Sequence, residues 1–293
     1  MLYFLQNKHL QITVNDLGAE LWSVVHRGAQ YLWQGDPTYW SGRAYNLFPI
    51  CGRLTEGIYT WKGKTYSMDL HGFARTAKFV CIAQTDCSLT FRLEASAETR
   101  KIYPFDFCLD LTYTLSGRTL CVTFHVANRS GGEMPFAIGG HPGFNLPLGS
   151  DGRFEDWKLV FANSQAQVRR IVLSNTGYLT HKESIPVAAM PDGRTLPLRH
   201  SLFDHDGIFL ENVCREVTLC ADQSDRSVTL CYPDMPYLGI WHASRTEAPY
   251  ICIEPWSSLP AYDGEIDDFA TKRDMIRLAA GGDFQSSYTL TIT

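Results

Sequence analysis

The sequence predicts an all-β protein, a sandwich or barrel formed as one domain over residues 1–293, and three features carry that expectation. Apolar residues alternate with a period of two in run after run, the pattern of half-buried strands. No stretch sustains a 3.6-residue period. Strand-like runs keep arriving without a linker or low-complexity tract, punctuated by turn signals at Lys62-Gly63, Asp151-Gly152 and Asp192-Gly193.

The clearest unit is a hairpin. In Phe105–Tyr113, residues Phe105, Phe107, Leu109, Leu111 and Tyr113 face one way, and after a Ser116-Gly117 turn Leu120, Val122, Phe124 and Val126 repeat the pattern. Shorter strand runs are expected at Ile12–Val14, Glu20–His26, Ile58–Trp61, Thr65–Met68, Lys78–Ala83, Ser88–Glu94, Trp157–Phe161 and Gln167–Leu173. Further runs follow at Gly207–Leu210, Glu216–Cys220, Ser227–Cys231, Leu238–Trp241, Tyr250–Glu254 and Tyr288–Ile292. Phe269–Met275 is the best candidate for a short helix.

Bulk composition narrows the function. A chain of 293 residues hides enough surface to need no disulfide or metal staple. A net charge of −5, with no basic stripe interleaved with aromatics, argues against a nucleic-acid partner. The nine cysteines include no C-x-x-C pair and several sit in strand runs, so a reducing, cytoplasmic location is expected. The segment Met1–Lys8 lacks the pattern of a signal peptide, and no run approaches a membrane span. An aromatic content of 13 %, with seven tryptophans, suits a β core and stacking on sugar rings.

The residues that carry chemistry stand at punctuation points. Cys252-Ile253-Glu254-Pro255-Trp256 sets one carboxylate in an apolar strand, which Pro255 is expected to end beside that carboxylate. Glu254 is either half of a structural ion pair with an arginine or a general base. His141, in Gly139-Gly140-His141-Pro142-Gly143-Phe144-Asn145, is expected on a loop that excludes helix and central strand. It is either a surface hydrogen-bonding group or a side chain aimed at a ligand. His71, before Gly72, has a similar standing, and Arg75 either binds an anion or braces its loop. Arg53, after Cys51-Gly52, needs a carboxylate or a ligand oxygen as acceptor. Asp206, in Asp204-His205-Asp206, is either a turn cap or an acceptor for a ligand hydroxyl. Trp241 and His242 are candidates for the rim. Two histidines and acids could also make a metal site, but no H-x-H or H-E-x-x-H pair is present, and acid–base work ranks above a metal.

Four segments in this order resemble the aldose 1-epimerase (galactose mutarotase) family, its bacterial LacX-like branch in particular. They are Phe48-Pro49-Ile50-Cys51-Gly52-Arg53-Leu54, His71-Gly72-Phe73-Ala74-Arg75, Gly140-His141-Pro142-Gly143-Phe144-Asn145 and Ile253-Glu254-Pro255-Trp256. The resemblance implies a large antiparallel β-supersandwich that binds a sugar in a cleft on one sheet. It implies Glu254 as base and His141 as acid, with Arg53, His71 and Asp206 binding substrate. It implies no metal and no organic cofactor, and a small-molecule sugar as partner for a monomer or homodimer. Interconverting anomers takes a proton from O1 and gives one to the ring oxygen, and each well-placed group contributes ~10²–10⁴-fold. Free Glu near pKa ~4.3 would be a ready base, whereas His near ~6.5 needs nearby negative charge to serve as acid. Trp241, Trp256 or Phe73 could offer an apolar face to the sugar. Three other readings stand beside this one: a hexose-6-phosphate 1-epimerase using Arg75, a non-catalytic carbohydrate-binding β-sandwich, and a glycosidase pairing Asp206 with Glu254.

Overall fold

The protein is described from a computed structural model covering residues 1–149, 152–165 and 167–293. The turn expected at Asp151-Gly152 begins outside those residues.

Two antiparallel sheets dominate. The nine-stranded one runs, in spatial order, Thr195–Pro197, Trp157–Phe161, Glu216–Ala221, Val228–Cys231, Asp283–Ile292, Thr119–Asn128, Phe107–Ser116, Ser88–Glu94 and Val80–Gln84. Its centre is the expected hairpin, paired without a slip from Phe107↔Asn128 to Ser116↔Thr119, with Gly117 at φ 58° in the turn. Leu109, Leu111 and Tyr113 are buried while Asp110 and Thr112 on the other face are half-exposed, as the alternation requires.

The seven-stranded sheet runs Ile185–Pro186, Arg169–Arg170, Ile208–Glu211, Tyr237–Trp241, Tyr250–Trp256, Gly139–Asn145 and Ala44–Leu47. The two sheets pack on one another through side chains of their inner faces. The Asn46 amide donates to the Tyr113 hydroxyl at 2.9 Å, and the Phe48 and Phe107 rings lie 5.1 Å apart. Leu2–Gln6, Leu10–Asn15, Glu20–His26 and Ala29–Gln30 form a smaller four-stranded sheet. One buried apolar cluster connects residues from Leu5 to Ile292.

Four sequence expectations need correction. Phe269–Met275 is a run of turns; the α-helix among the described residues is Ala97–Ile102, capped where Ser96 Oγ accepts from the Thr99 N–H. Of Gln167–Leu173 only Arg169–Arg170 is strand. Gly139–Asn145 is not a loop but a central strand, between Tyr250–Trp256 and Ala44–Leu47. The Glu254 strand does not end at the glutamate either; it continues through Pro255 to Trp256.

The last two have one explanation. The ladder between Gly139–Asn145 and Tyr250–Trp256 pairs Gly139 with Trp256 and Gly143 with Cys252, and it is open in between at an unchanged register. The Ser257 N–H bonds the Ile138 carbonyl and the Gly143 N–H bonds Arg43 on the opposite side. Every second N–H of a strand points the same way, so the missing N–H of Pro255 and that of Pro142 both face the gap. Each proline therefore sits where its lack of a donor opens this ladder and leaves the outer ladders intact.

Gly140 points from this gap to the opposite sheet, where a Cβ would lie 2.6 Å from the Tyr288 ring. Gly140→Ala is expected to destabilise the fold by about 1–3 kcal/mol through overpacking. Urea unfolding measures this as a lower midpoint at unchanged slope.

Candidate active site

In the open part of the ladder, the unchanged register sets His141 opposite Glu254, and both point away from the core face that Gly140 shares with Tyr288. The His141 Nε2 lies 3.2 Å from the Glu254 Oε2, with both side chains buried. Glu254 is thus partnered by an imidazole, not by the arginine that a structural ion pair would use. The same row continues across the sheet: Tyr45 pairs with His141, Gly239 with Glu254, and Phe209 with Gly239. Gly239 lets the Phe209 ring lie over it, since a Cβ there would stand 3.1 Å from that ring and 3.3 Å from the Glu254 Cβ.

Above this row is a cavity of ≈ 260 Å³, a size for one small polar ligand, at the lower end of ordinary ligand pockets. Eight residues singled out from the sequence line it: Arg53, His71, Arg75, His141, Asp206, Trp241, Glu254 and Trp256. Trp40, Tyr45, Gly177 and Phe209 line it as well and escaped sequence reasoning. Trp40 lies nearly over the His141 ring, at 4.9 Å between centroids and 32° between planes. The one available signal was Gly42, where a Cβ would strike the Trp40 and Tyr45 rings. Trp241 meets His141 edge-on at 5.8 Å, and His242, the other rim candidate, is fully buried behind it. Phe73 packs instead under Phe48 in the core, so Trp241, Trp256 and Trp40 supply the aromatic walls.

Two of the sequence motifs interlock to hold His71. Its N–H donates to the Gly52 carbonyl at 2.7 Å, and the Gly52 N–H donates back to the His71 Nδ1 at 3.1 Å. Such an exchange needs left-handed backbone on both sides, and φ is 63° at His71, 75° at Gly72 and 76° at Gly52. Because a backbone N–H can only donate, Nδ1 is the acceptor and the neutral ring carries its proton on Nε2. Burial, reinforced by His141, Arg75 and Arg53, holds this imidazole well below its ordinary pKa. His71 is therefore a neutral hydrogen-bond donor at physiological pH.

Arg53 bonds the Thr176 carbonyl at 2.7 Å, and Arg75 bonds that of Leu70 at 3.0 Å while lying over the Tyr45 ring. Among the described residues, neither guanidinium has a carboxylate within salt-bridge distance. Asp206, rather than Asp204, reaches the cavity. Its backbone sits at φ 148°, a region that side chains rarely occupy, and its Oδ1 accepts from the Gly207 N–H at 2.7 Å. Gly177 fits between Asp206 and Arg53: at φ 78°, a Cβ there would be 2.7 Å from the carboxylate and 3.2 Å from the guanidinium carbon.

Electrostatics reverse one expectation. Burial, then the neighbouring Asp206 charge, raises the Glu254 carboxyl well above its ordinary range, and the Trp256 indole offsets part of this. Burial lowers the His141 imidazole to about 3, with Arg75 adding to the effect. Desolvation favours the uncharged form of both groups, so the pair holds one proton and that proton rests on the carboxyl side. Glu254 in this environment is not the free-solution base anticipated from its ordinary pKa.

Cys252 completes a buried trio whose ligand atoms with His141 and Glu254 lie within 4.8 Å of one another. Burial and the Glu254 charge push its thiol well above the usual range.

Linkage gives a stability test. Above pH ~4.5 the unfolded glutamate loses its proton while the folded one retains it, so the Glu254 contribution to stability declines as pH rises toward its raised folded pKa. Glu254→Gln removes this decline and is expected to raise Tm at pH 8 by roughly 2–4 °C. The advantage should vanish at pH 4, where wild-type Glu254 is protonated in both states; calorimetry at the two pH values tests it.

With this geometry in view, comparison with known proteins identifies the family. A family model described as Aldose 1-epimerase matches residues 1–262. The chromosomal LacX protein of Lactococcus lactis subsp. lactis is 33 % identical over 296 residues, covering 98 % of each chain. The crystal structure of a galactose mutarotase-like protein from Lactobacillus casei superposes with a TM-score of 0.94 at 33 % identity, covering 100 % of both chains. A galactose mutarotase related enzyme from Lactobacillus acidophilus gives 0.93 at 34 % identity, covering 100 % of this chain and 97 % of that one. The chain belongs to the aldose 1-epimerase family, and its fold is the galactose mutarotase-like antiparallel β architecture.

Proposed function

From this family membership we propose that the protein is an aldose 1-epimerase that interconverts the α and β anomers of a free hexose. The single observation that carries the reading is the 3.2 Å contact between the buried His141 imidazole and Glu254 carboxyl within a cavity sized for one sugar. O1 and the ring oxygen O5 are both bonded to C1, so the acid and base that serve them should be adjacent. Two groups in direct contact meet that need better than groups on opposite flanks.

The chemistry balances within the pair. The neutral resting pair first passes the Glu254 proton to His141; from that carboxylate–imidazolium form, Glu254 takes the O1 proton while His141 gives its own to O5. The C1–O5 bond breaks, C1=O1 forms, and the pair becomes neutral. Rotation about C1–C2 presents the other face of the aldehyde, and closure reverses both transfers. Desolvation makes the charged form costly to reach from the neutral resting pair, and ring opening, which returns the pair to neutrality, recovers that cost. Across the contact the proton can also pass directly, so no solvent exchange is needed between turnovers. His71 Nε2–H, Arg53 and Asp206 supply donors and an acceptor for hydroxyls or for the developing carbonyl oxygen.

Glu254→Gln and His141→Asn are each expected to lower kcat for glucose or galactose mutarotation by about 10²–10⁴-fold. Polarimetry of a freshly dissolved anomer reads this directly, and wild-type rates in either variant would remove the mechanism.

Arg75 favours a second reading, a hexose-6-phosphate 1-epimerase, because its guanidinium faces the cavity without a carboxylate partner. If free hexose is the substrate, Arg75→Ala should leave the ratio of kcat/KM for glucose to that for glucose 6-phosphate above one. Exchange NMR with both sugars measures the ratio. A strong preference for the phosphate that disappears in Arg75→Ala would establish the second reading.

A further inference from the structure

Cys252 is a buried nucleophile that the proposed chemistry leaves unused. It lies two residues before Glu254 on the same strand and the same face, and it pairs with Gly143 one row along from His141. The absent side chain of Gly143 leaves space that the sulfur and an indole occupy. A Cβ there would lie 3.3 Å from the Cys252 Sγ and 3.0 Å from the Trp40 ring. We propose that His141, Cys252 and Glu254 form an inhibitory site for a thiophilic divalent cation such as Zn²⁺. The ion takes up both proton-transfer groups and stops anomerisation. The inhibition rests on the anomerase reading of the cavity; the binding does not.

The donor set selects that class of ion. One imidazole nitrogen, one sulfur and one carboxylate oxygen lie within 4.8 Å of one another. In a tetrahedral zinc site with bonds of ~2.0–2.3 Å, donor atoms stand roughly 3.3–3.6 Å apart, so side-chain movements of about 1 Å complete the set. The His141 Nε2 and Glu254 Oε2, at 3.2 Å, already have nearly that spacing. Sulfur and imidazole together favour Zn²⁺ or Cd²⁺ over Mg²⁺ and Ca²⁺, which take oxygen ligands. Among the described residues, the Glu254 Oε1 is buried without a hydrogen-bond partner, and a cation would satisfy it.

Charge balance favours a dication. The thiol and the neutral His141–Glu254 pair together carry no net charge. Binding releases two protons to solvent, one from the thiol and one from the pair. A thiolate, a carboxylate and a neutral imidazole then surround the ion, so the site is uncharged before and after, as a dry setting demands. Trp40 covers His141 at 4.9 Å between ring centroids, and Cys252 packs among Trp33, Ala248 and Tyr250. Those neighbours alone would accept the sulfur as a small apolar atom. The two ligands beside it set it apart. His141 and Glu254 line the cavity, which gives an ion its approach.

The test adds Zn²⁺, Cd²⁺ or Mg²⁺ to wild type, Cys252→Ala and Cys252→Ser at neutral pH. Cys252→Ser, of nearly unchanged volume, reads the result if the alanine variant does not fold. Zn²⁺ is expected to inhibit wild-type mutarotation far more strongly than Mg²⁺. With each variant referred to its own metal-free rate, the Zn²⁺ inhibition constant should rise at least about 100-fold. Groups that merely hold a metal ligand in place already contribute ~10–100-fold to affinity. Cd²⁺ should give the ultraviolet thiolate-to-metal band, with one equivalent lost in the variants. Equal inhibition of wild type and variants, equal potency of Mg²⁺ and Zn²⁺, or activation by Zn²⁺ would overturn the site. If no sugar is anomerised, the failure lies with the reading of the cavity, and the cadmium band and calorimetric titration of Zn²⁺ still decide the cation site. One tight equivalent lost in the variants supports it; identical titrations overturn it.

Discussion

The site depends on a gap in one β-ladder. Glu254 and His141 stand opposite each other at a position where neighbouring strands bring side chains closest, between two pairs that each lack one hydrogen bond because one member is proline. A full ladder would draw these strands together with every donor used. Two prolines with their missing donors facing each other loosen only this rung, and the outer neighbours, Ala44–Leu47 and Tyr237–Trp241, still hold both strands in the sheet. The proposed acid and base are therefore carried on internal strands of the sheet, with none of the positional slack of loops.

That row would be useless if the cavity above it were filled. Gly239 lets the Phe209 ring pack beside Glu254 as a wall of the cavity, and Gly140 on the reverse face lets Tyr288 close up beneath His141. Each glycine admits an aromatic ring, one on the cavity face and the other on the core face. The walls come from elsewhere: Gly52 and His71 lock two distant segments together by reciprocal hydrogen bonds, which puts Arg53 and Arg75 on one side of the cavity. The loop through Thr176 and Gly177 then ties Arg53 to the side that carries Asp206.

Much of the fold could be read from the sequence, because the nine-stranded sheet is one-sided and alternates cleanly, as in the hairpin from Phe107 to Asn128. The seven-stranded sheet was harder. Its central strand reads Gly-Gly-His-Pro-Gly-Phe-Asn, and glycine and proline signal turns unless their neighbours are known to compensate. The same proline logic misplaced the end of the Glu254 strand. Arg53, His71, His141, Asp206 and Glu254 stood out because each lies beside glycine or proline, whereas Trp40, Tyr45 and Phe209 did not: an aromatic residue that lines a cavity looks, in one sequence, like one that fills a core. Phe73 shows the converse, since it belongs to a site motif yet packs inside. Asp206 could be separated from Asp204 only by the backbone turn between them, which no residue pattern announced.

The desolvation that shifts both members of the pair also explains how a site without strong charges could act on a sugar. A fully solvated Glu and His would each sit near its ordinary pKa, and the ion pair would be the stable resting form in water. In the cavity, 1 % exposure of Glu254 and 7 % of His141 make separated charge expensive. On the proposed chemistry, charge is present only in the reactive form that precedes ring opening and is lost as the ring opens, so burial sets the cost of reaching that form and returns it in the open complex. The neutral His71, fixed as an Nε2 donor, can then stabilise oxygen without adding a positive charge that would re-anchor the carboxylate. The two guanidiniums act from the rim, where solvent screens them more. On that reading the same buried pair serves both anomers, since ring closure on either face of the aldehyde reverses the same two proton transfers.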